Sequence, residues 1–308
     1  MLKAYSYIEN AHLDSGIIDR HILAREKQII SEFTVNNPTP KIETPCVICG
    51  GVTKEFAVID EICYQRCNYC RSIFAKVENE TIERYKAYQP LVDFRSSGEY
   101  QSSAAERREG IWEDLLFWLK YRLARYMRKN SELDVIDIDN RYCALAEKIK
   151  HAGFCGGYNI TETADVVLFL EQFRCLPDPT ETLSKLRRML NDNGILVMNM
   201  RVGGGFDVLT LKGCTGSIFP YETILLPSTE GLGVILKNTG FDVLEVSTPG
   251  ALDIEHVLQN KEHVDEDDLF VNYLLSKTDK SILAEFQRFL QKSGMSSHAR
   301  VIARKRPV

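Results

Sequence analysis

The amino-acid sequence predicts an α/β fold with a mostly parallel sheet, preceded by a small cysteine-rich segment. Strand-like and helix-like segments alternate through the second half of the chain, which is the order typical of a parallel sheet covered by helices on both faces. Five of the nine cysteines fall between Cys46 and Cys70. Such clustering within one short window is typical of a metal site.

The pattern of apolar, polar and cysteine residues divides the 308 residues into four segments. We predict an N-terminal helical segment over 1–43, a ribbon of short strands over 44–78, a polar linker with an amphipathic helix over 79–130, and an α/β domain with C-terminal helices over 131–308. The amphipathic helix carries an apolar stripe at every fourth position, made of Ile111, Leu115, Leu119, Leu123 and Met127. Its basic residues, Lys120, Arg122, Arg125 and Arg128, are expected to face solvent.

Within the last segment, apolar runs predict strands and periodic runs predict helices. The predicted strands are 133–138, 164–170, 195–200, 243–246 and 299–303, and two shorter ones, 56–59 and 72–77, belong to the ribbon. The predicted helices are 142–152, 179–190, 230–238, 265–276 and 279–292. The run 164–170 is almost wholly apolar, as expected of a strand that is covered on both faces.

Composition limits the class of partner. The net charge of −5 and the isoelectric point of about 5.8 argue against nucleic acid, because phosphate binding needs a concentrated positive surface. No apolar run approaches the ~20 residues that cross a bilayer. The start of the chain lacks the basic-then-apolar layout of a secretory signal. We therefore expect a cytoplasmic protein with neither a nucleic-acid nor a membrane partner, in an oligomeric state that the sequence leaves open.

The cysteine spacing gives the strongest chemical prediction. Cys46-x₂-Cys49 and Cys67-x₂-Cys70 are two knuckles separated by the 17 residues 50–66. Two thiolates from each knuckle complete a tetrahedron around one Zn²⁺, and a four-sulfur site of this kind is usually structural. Cys63 is a fifth thiol, which the spacing makes the spare. The alternative is five reduced cysteines without metal.

Several stretches of the second half resemble a known family. Residues 164–169, followed by Leu176-Pro177-Asp178-Pro179, look like a strand and its "L-P-D-P" turn. Residues 186–197 look like an "L-L-K-P-G-G-x-L-V" passage, and residues 240–246 with 248–250 like the next strand and its exit. In this order, after a Cys₄ ribbon, they resemble class I S-adenosylmethionine-dependent methyltransferases with an N-terminal zinc-binding domain. That group includes sugar C-methyltransferases acting on nucleotide-linked sugars.

The resemblance spans about residues 44–255 and implies a Rossmann-like methyltransferase domain with S-adenosylmethionine as cofactor. The family's glycine-rich loop is missing, since residues 137–142 contain no glycine. Strand 133–138 is therefore either the first strand with a collapsed loop or the second strand. Both registers place Asp137, Asp139 and Asn140 at the carboxyl end of a strand, where open α/β sheets bind ligands, with Glu171 nearby. The alternative for Asp139 and Asn140 is capping of the next helix.

The resemblance also points to a catalytic pair. Sugar C-methyltransferases carry a Tyr-His-Glu-His run, and its nearest counterpart here is Pro220-Tyr221-Glu222-Thr223. Glu222 would act as base and Tyr221 as proton relay. Both histidines of the run are absent, so catalysis is expected to depend more on positioning, and the alternative is a polar loop pair. The long connection 201–228 is expected to form the substrate side of the pocket.

Two functions follow from these observations. The first is an active S-adenosylmethionine-dependent methyltransferase acting on a small molecule, a nucleotide sugar or a glycan. The second is a catalytically degenerate relative that serves as a binding or scaffold subunit. The six histidines are dispersed along the chain and are expected at the surface.

Overall fold

The computed structural model describes residues 20–39, 43–127, 133–138, 163–216, 218–276 and 279–307. Its helices are α1 (Arg20–Val35), α2 (Asn79–Lys86), α3 (Gln89–Ser96), α4 (Gly98–Tyr126), α5 (Pro179–Arg188), α6 (Phe206–Leu211), α7 (Thr229–Asn238), α8 (Asp253–Gln259), α9 (Leu269–Ser276) and α10 (Lys280–Ser293). Its strands are β1 (Thr53–Ile59), β2 (Ile62–Cys67), β3 (Ile73–Ala75), β4 (Val135–Asp137), β5 (Ala164–Leu170), β6 (Leu190–Arg201), β7 (Leu225–Leu226), β8 (Phe241–Ser247) and β9 (His298–Lys305).

The central sheet has five strands in the order β4-β5-β6-β9-β8. Strands β4, β5 and β6 pair in parallel, whereas β9 is antiparallel to both β6 and β8. Four of the five strands therefore run in one direction, and their carboxyl ends lie at one edge. The predicted α/β fold with a mostly parallel sheet is confirmed.

Strand β5 shows why the sheet needs cover on both faces. All seven of its residues are buried. Val167 and Phe169 join a core with α5, α7 and the cysteine-rich segment. Val166 and Leu168, which alternate with them, join a core with α4. The period of two sends neighbouring side chains to opposite faces, so a continuous apolar run is what a doubly covered strand requires.

The apolar stripe of α4 is confirmed at its centre. Leu115, Leu119 and Leu123 are buried against the sheet, and Trp118 is buried beside them. The expectation for Arg122 is wrong. Its Nε donates to Glu245 Oε1 at 2.7 Å, and the Glu245 side chain is only 2% exposed. A buried carboxylate on β8 holds this guanidinium against the domain, because a charge away from water needs a partner.

The cysteine-rich segment forms a second sheet with a strand from far along the chain. Its four strands lie in the order β1-β2-β3-β7, all antiparallel. Ile73 pairs with Leu226 and Phe74 with Leu225. Strand β7 belongs to the connection 201–228, so this small sheet extends beyond the segment 44–78. The segment boundaries at 43, 78 and 130 stay predictions.

Several sequence predictions lie outside the described residues, among them the helix over 142–152 and the first part of the helix over 1–43. None of the described helices combines the length and apolar character that crossing a bilayer requires.

Candidate functional site

Four cysteines converge at one end of the small sheet. The Sγ atoms of Cys46, Cys49, Cys67 and Cys70 all lie within 4.8 Å of one another. Cys46 Sγ is 3.5 Å from Cys70 Sγ, and Cys49 Sγ is 3.5 Å from Cys67 Sγ. Four thiolates at about 2.3 Å from one Zn²⁺ place their sulfurs about 3.8 Å apart. The donor set therefore fits a tetrahedral zinc ion in chemistry and in size.

The two knuckles have the same local structure. The backbone N–H of Ile48 donates to Cys46 Sγ, and that of Tyr69 donates to Cys67 Sγ, each at 3.4 Å. The two donors occupy equivalent positions, two residues after the first cysteine of each knuckle. Amide donors stabilise the thiolate over the thiol, and thiolate is the form that ligates metal.

Each knuckle ends in a left-handed residue. Gly50 has φ +71° and Arg71 has φ +62°, and each lies four residues after the first cysteine of its knuckle. Their amides close the two turns, because Gly50 N donates to Cys46 O at 2.8 Å and Arg71 N to Cys67 O at 3.1 Å. A glycine adopts this conformation at the first knuckle, whereas a non-glycine residue adopts it at the second.

Cys63 lies outside the cluster, as the spacing predicted. Its Sγ lies 3.8 Å from Glu55 Oε2, on the strand pair β1–β2.

The second knuckle is fixed to the start of α7. Ser228, the N-cap of α7, donates from its N–H to Ser72 Oγ at 3.0 Å, and its hydroxyl donates to the carbonyl of Cys70. The same hydroxyl accepts from Gly231 N at 2.8 Å. Cys46, Cys67 and Cys70 also pack in the core that covers the central sheet. The cysteine cluster is thus joined to the α/β domain by hydrogen bonds and by packing.

A second candidate site lies at the carboxyl edge of the central sheet. Glu171 follows β5 in a left-handed conformation, φ +64°, and its N–H donates to Asn199 O at 2.7 Å. Glu171 Oε1 accepts from Asn199 Nδ2 at 2.8 Å. Asn199 Oδ1 lies 2.7 Å from Nε2 of His298, the first residue of β9. The three side chains form a chain of hydrogen bonds across three strands.

Chemistry fixes the direction of these hydrogen bonds. An ionised carboxylate only accepts, so Asn199 turns its amide –NH₂ toward Glu171 and its oxygen toward His298. His298 must therefore donate from Nε2. Burial, together with the positive charges of Arg300 and Arg201, lowers the pKa of His298 to about 3, so the ring is neutral at pH 7. A neutral imidazole that carries its proton on Nε2 has a lone pair on Nδ1.

Sequence reasoning placed all six histidines at the surface, and for His298 this is wrong. Only 19% of its side chain is exposed. Its position at the start of the last predicted strand was the available signal, because the antiparallel β9 brings its amino end to the edge where the parallel strands have their carboxyl ends. The sequence pattern did not reveal that β9 inserts beside β6.

The predicted cofactor residues fall in three places. Asp137 ends β4 and is 6% exposed, in line with its predicted position at a strand's carboxyl end. Glu171 lies at the same edge, two strands from β9. Asp139 and Asn140 lie outside the described residues. Strand β4, which ends at Asp137, pairs directly with β5, and Glu171 follows β5.

Glu222 lies in an ion network. Its Oε1 accepts from Tyr85 OH at 3.1 Å and from Arg95, and its Oε2 is 3.8 Å from Arg174 Nη2. Burial raises the pKa of this carboxyl, but Arg95 and Arg174 outweigh burial and the net pKa is lowered. Glu222 is therefore an anion held by two guanidinium groups. Arg174 belongs to the 3₁₀ turn Gln172–Cys175 that follows Glu171.

Tyr221 packs in an aromatic cluster. Its ring stacks on Tyr85 with centroids 5.3 Å apart and meets the edge of Phe33 at 5.2 Å. Its hydroxyl donates to the carbonyl of Asn37, and burial raises its pKa to about 12. Tyr221 thus contacts α1 and α2, Glu222 contacts α2 and α3, and their catalytic roles stay predictions.

Comparisons with known proteins return only distant likenesses. No family model matches the chain, and no curated protein matches it. Among solved structures, the plantazolicin methyltransferase BpumL, in complex with a triazolic desmethylPZN analog and SAH, is similar with a TM-score of 0.39 and 12% identity over 75% of this chain and 100% of that one. A phosphoethanolamine N-methyltransferase 2 from Haemonchus contortus, also with SAH, has a TM-score of 0.34 and 19% identity over 60% of this chain and 51% of that one.

The [4+2]-cyclase SpnF is similar at a comparable level, with a TM-score of 0.32 and 13% identity over 62% of this chain and 80% of that one. Structures of S-adenosylmethionine-dependent methyltransferases are thus among the neighbours, together with a cyclase. At these values the likeness identifies neither an activity nor a substrate.

Proposed function

We propose that this chain is an S-adenosylmethionine-dependent methyltransferase that acts on a small or sugar-linked molecule. The observation that carries the proposal is the polar group Glu171–Asn199–His298 at the carboxyl edge of four parallel strands, with Asp137 at the end of the neighbouring strand β4. Ligands of open α/β sheets bind at this edge. The choice of methyl transfer as the chemistry comes from the sequence motifs around β5 and β6, which resemble those of S-adenosylmethionine-dependent methyltransferases.

The chemistry of the donor set fits a cofactor that carries a positive charge. Asp137 and Glu171 bring two carboxyl groups to the edge, and the amide of Asn199 holds Glu171 in one orientation. Carboxylates next to a sulfonium or an amine are favourable, because an opposite charge nearby stabilises the ionised form. When bound, the cofactor supplies an electrophilic methyl group on a sulfonium.

His298 is placed to orient the methyl acceptor. Its Nδ1 lone pair accepts a hydrogen bond from a substrate O–H or N–H, while its Nε2 proton is held by Asn199. The lowered pKa, about 3, makes His298 a weak base. We therefore assign it a positioning role, in which it directs the acceptor's lone pair toward the methyl group.

Isothermal titration of the full chain with S-adenosylmethionine and S-adenosylhomocysteine tests the cofactor. We expect a Kd in the range of about 1–100 µM for the parent. Glu171→Gln removes the charge and keeps the shape, and it should weaken binding at least about tenfold, the usual effect of losing a charge-assisted contact. Glu181→Gln is the matched control, because Glu181 is exposed on α5, where it pairs with the exposed Lys185 at 2.7 Å.

A parent protein that binds neither compound would contradict the proposal and leave the scaffold function. Equal affinity for parent and Glu171→Gln would remove Glu171 from the site. The histidine assignment has its own readout, because ¹⁵N NMR of the imidazole should show a neutral ring protonated on Nε2 at pH 7. A charged ring, or the other tautomer, would refute the assignment.

We also propose that Cys46, Cys49, Cys67 and Cys70 hold one Zn²⁺ in a closed structural site. Elemental analysis of the purified protein should give about one zinc per chain. Cys67→Ser should lose the metal, whereas Cys63→Ser should keep it, because Cys63 lies outside the cluster. Full occupancy in Cys67→Ser would contradict the ligand set.

The predicted base is tested by Glu222→Gln. If Glu222 only pairs with Arg95 and Arg174, this variant should lower the melting temperature and leave turnover per folded molecule unchanged. A large fall in turnover with unchanged cofactor affinity would instead support the base assignment.

A further inference from the structure

A cavity outside the central sheet has not been assigned a role. Its volume is about 400 Å³, within the range of small-molecule sites. It lies between α1, the turn that joins β1 to β2, and residues 213–215 and 218–220. None of these elements belongs to the central sheet, so the cavity is separate from the Glu171–Asn199–His298 edge.

The lining combines apolar side chains with polar ones such as Gln28 and Thr215, and Lys27 is its cation. Ile30, Ile59 and Ile218 contribute aliphatic surface, and Phe219 contributes an aromatic ring. Lys27 Nζ lies 5.6 Å from the centre of the Phe219 ring. Asp60 is the one carboxylate among the lining residues, and it is exposed at the β1–β2 turn.

The ammonium of Lys27 is partly removed from water. Burial lowers its pKa, although Asp60 acts in the opposite direction. A desolvated ammonium beside an aromatic ring is stabilised by an anion that enters the same space. Phosphate sites usually combine several donors, such as an arginine fork or a helix N-terminus. A single ammonium above apolar walls fits a carboxylate with an apolar body better.

We propose that this cavity binds a small organic carboxylate, with the carboxylate group at Lys27 Nζ and the apolar body against Phe219 and Ile218. Such a site is independent of methyl transfer. It adds a binding function at the junction of α1 with the small cysteine-rich sheet.

The probe is 3-phenylpropionate, titrated calorimetrically into the full chain. The uncharged 3-phenylpropanol and inorganic phosphate are the comparison ligands. We expect a Kd of about 1 mM or tighter for the acid. Lys27→Met keeps the stem and removes the charge, so affinity should fall at least about tenfold. Lys237→Met, at an exposed position on α7, should bind as the parent does.

Two cysteines locate the binding event. Cys214 lines the cavity, whereas Cys175 lies outside it, and both cysteines are exposed. Saturating 3-phenylpropionate should slow alkylation of Cys214 by iodoacetamide and leave Cys175 unchanged. Ala24→Trp, a substitution at an exposed lining residue, should fill the space and abolish both effects.

Three results would overturn the proposal. The first is the absence of heat and of Cys214 protection in the parent. The second is equal affinity in Lys27→Met. The third is binding of inorganic phosphate, or of the alcohol, at least as tight as that of the acid, which would show that the carboxylate is not the recognised group.

Discussion

At the scale of the residue, Gly231 allows α7 to pack closely against the cysteine cluster. A Cβ on Gly231 would lie 2.3 Å from Ser72 Oγ, an atom that lies 3.3 Å from Cys70 Sγ. Because Ser72 is fully buried, the hydroxyl has no room to retreat. A glycine is therefore required at position 231, because any larger residue would collide with Ser72.

Gly231→Ala is expected to destabilise the fold by about 1–3 kcal/mol, the usual effect of overpacking. Urea unfolding measures it. The control is Gly204→Ala, where a Cβ would meet nothing within 4 Å. We also expect Gly231→Ala to weaken metal retention, because displacement of Ser72 disturbs the second knuckle. Equal stability of the two variants would contradict the close-approach account.

Asp253 gives a residue-scale prediction about pH. Its carboxylate is buried, accepts hydrogen bonds from Gln287 and Ser296, and is disfavoured by burial and by the neighbouring Asp207. Its pKa is raised from 3.8 to about 6. The folded state therefore prefers the protonated form, and stability falls as the pH rises from about 4 to about 6.

The full shift corresponds to about 3 kcal/mol, reached between a pH well below 3.8 and a pH well above 6. Asp253→Asn should remove this part of the pH dependence and leave a constant offset. The free energy of unfolding, measured by urea at several pH values for both proteins, tests it. Parallel curves for parent and variant would show that Asp253 does not titrate in this range.

At the scale of the element, the apolar runs predicted the central strands well. Residues 164–170 were predicted as a strand, and β5 spans Ala164–Leu170. A strand that is covered on both faces is a continuous apolar run, and this run can be recognised from the strand's own sequence. Strand β2 was not predicted, because its polar and cysteine residues hide any alternation, and the two residues of β7 are too few for a pattern.

The functional predictions also succeeded where the signal is local in the sequence and failed where it depends on the strand order. The cysteine ligands follow from local spacing, and the structure brings all four together. The group Glu171–Asn199–His298 joins residues from three strands, and only the strand order brings them together. Sequence reasoning therefore found Glu171 through its strand and missed both of its partners.

An element-scale prediction concerns metal removal. Because the cysteine cluster is fixed to β3, β7 and the start of α7, loss of the proposed zinc ion should release these elements together. In hydrogen exchange after chelation, we expect protection to fall in β1–β3, in β7 and in the first turn of α7. Protection in β5 and β6 should persist, since their hydrogen bonds lie within the central sheet. Unchanged exchange everywhere would show that the ribbon does not depend on the metal.

At the scale of the whole molecule, Arg95 joins distant parts of the chain. From α3 its Nε and Nη2 donate to Glu26 Oε1 on α1, at 2.9 and 2.7 Å, and Nη2 also contacts Glu222. Glu222 in turn contacts Arg174, which follows β5. Helices α1 and α3 are thus coupled, through charges that are mostly buried, to the 3₁₀ turn that contains Arg174 and follows Glu171.

Arg95→Met is expected to cost about 3–5 kcal/mol, because it leaves two neighbouring carboxylates without their shared cation. The double variant Arg95→Met with Glu26→Gln should recover part of the loss. Urea unfolding of parent, single and double variants measures the difference. A single variant as stable as the parent would show that the network contributes little.

The pairing of β3 with β7 has a consequence for biosynthesis. About 150 residues separate Ala75, the end of β3, from Leu225. At a synthesis rate of ~5–20 residues per second, roughly 8 to 30 s pass between the emergence of the two strands. Throughout that interval the cysteine knuckles have left the ribosome while the outer edge of β3 has no partner. The nascent chain thus offers an open strand edge and four reactive thiols for much of its translation, and early capture of a metal ion would protect the thiols before the sheet is complete.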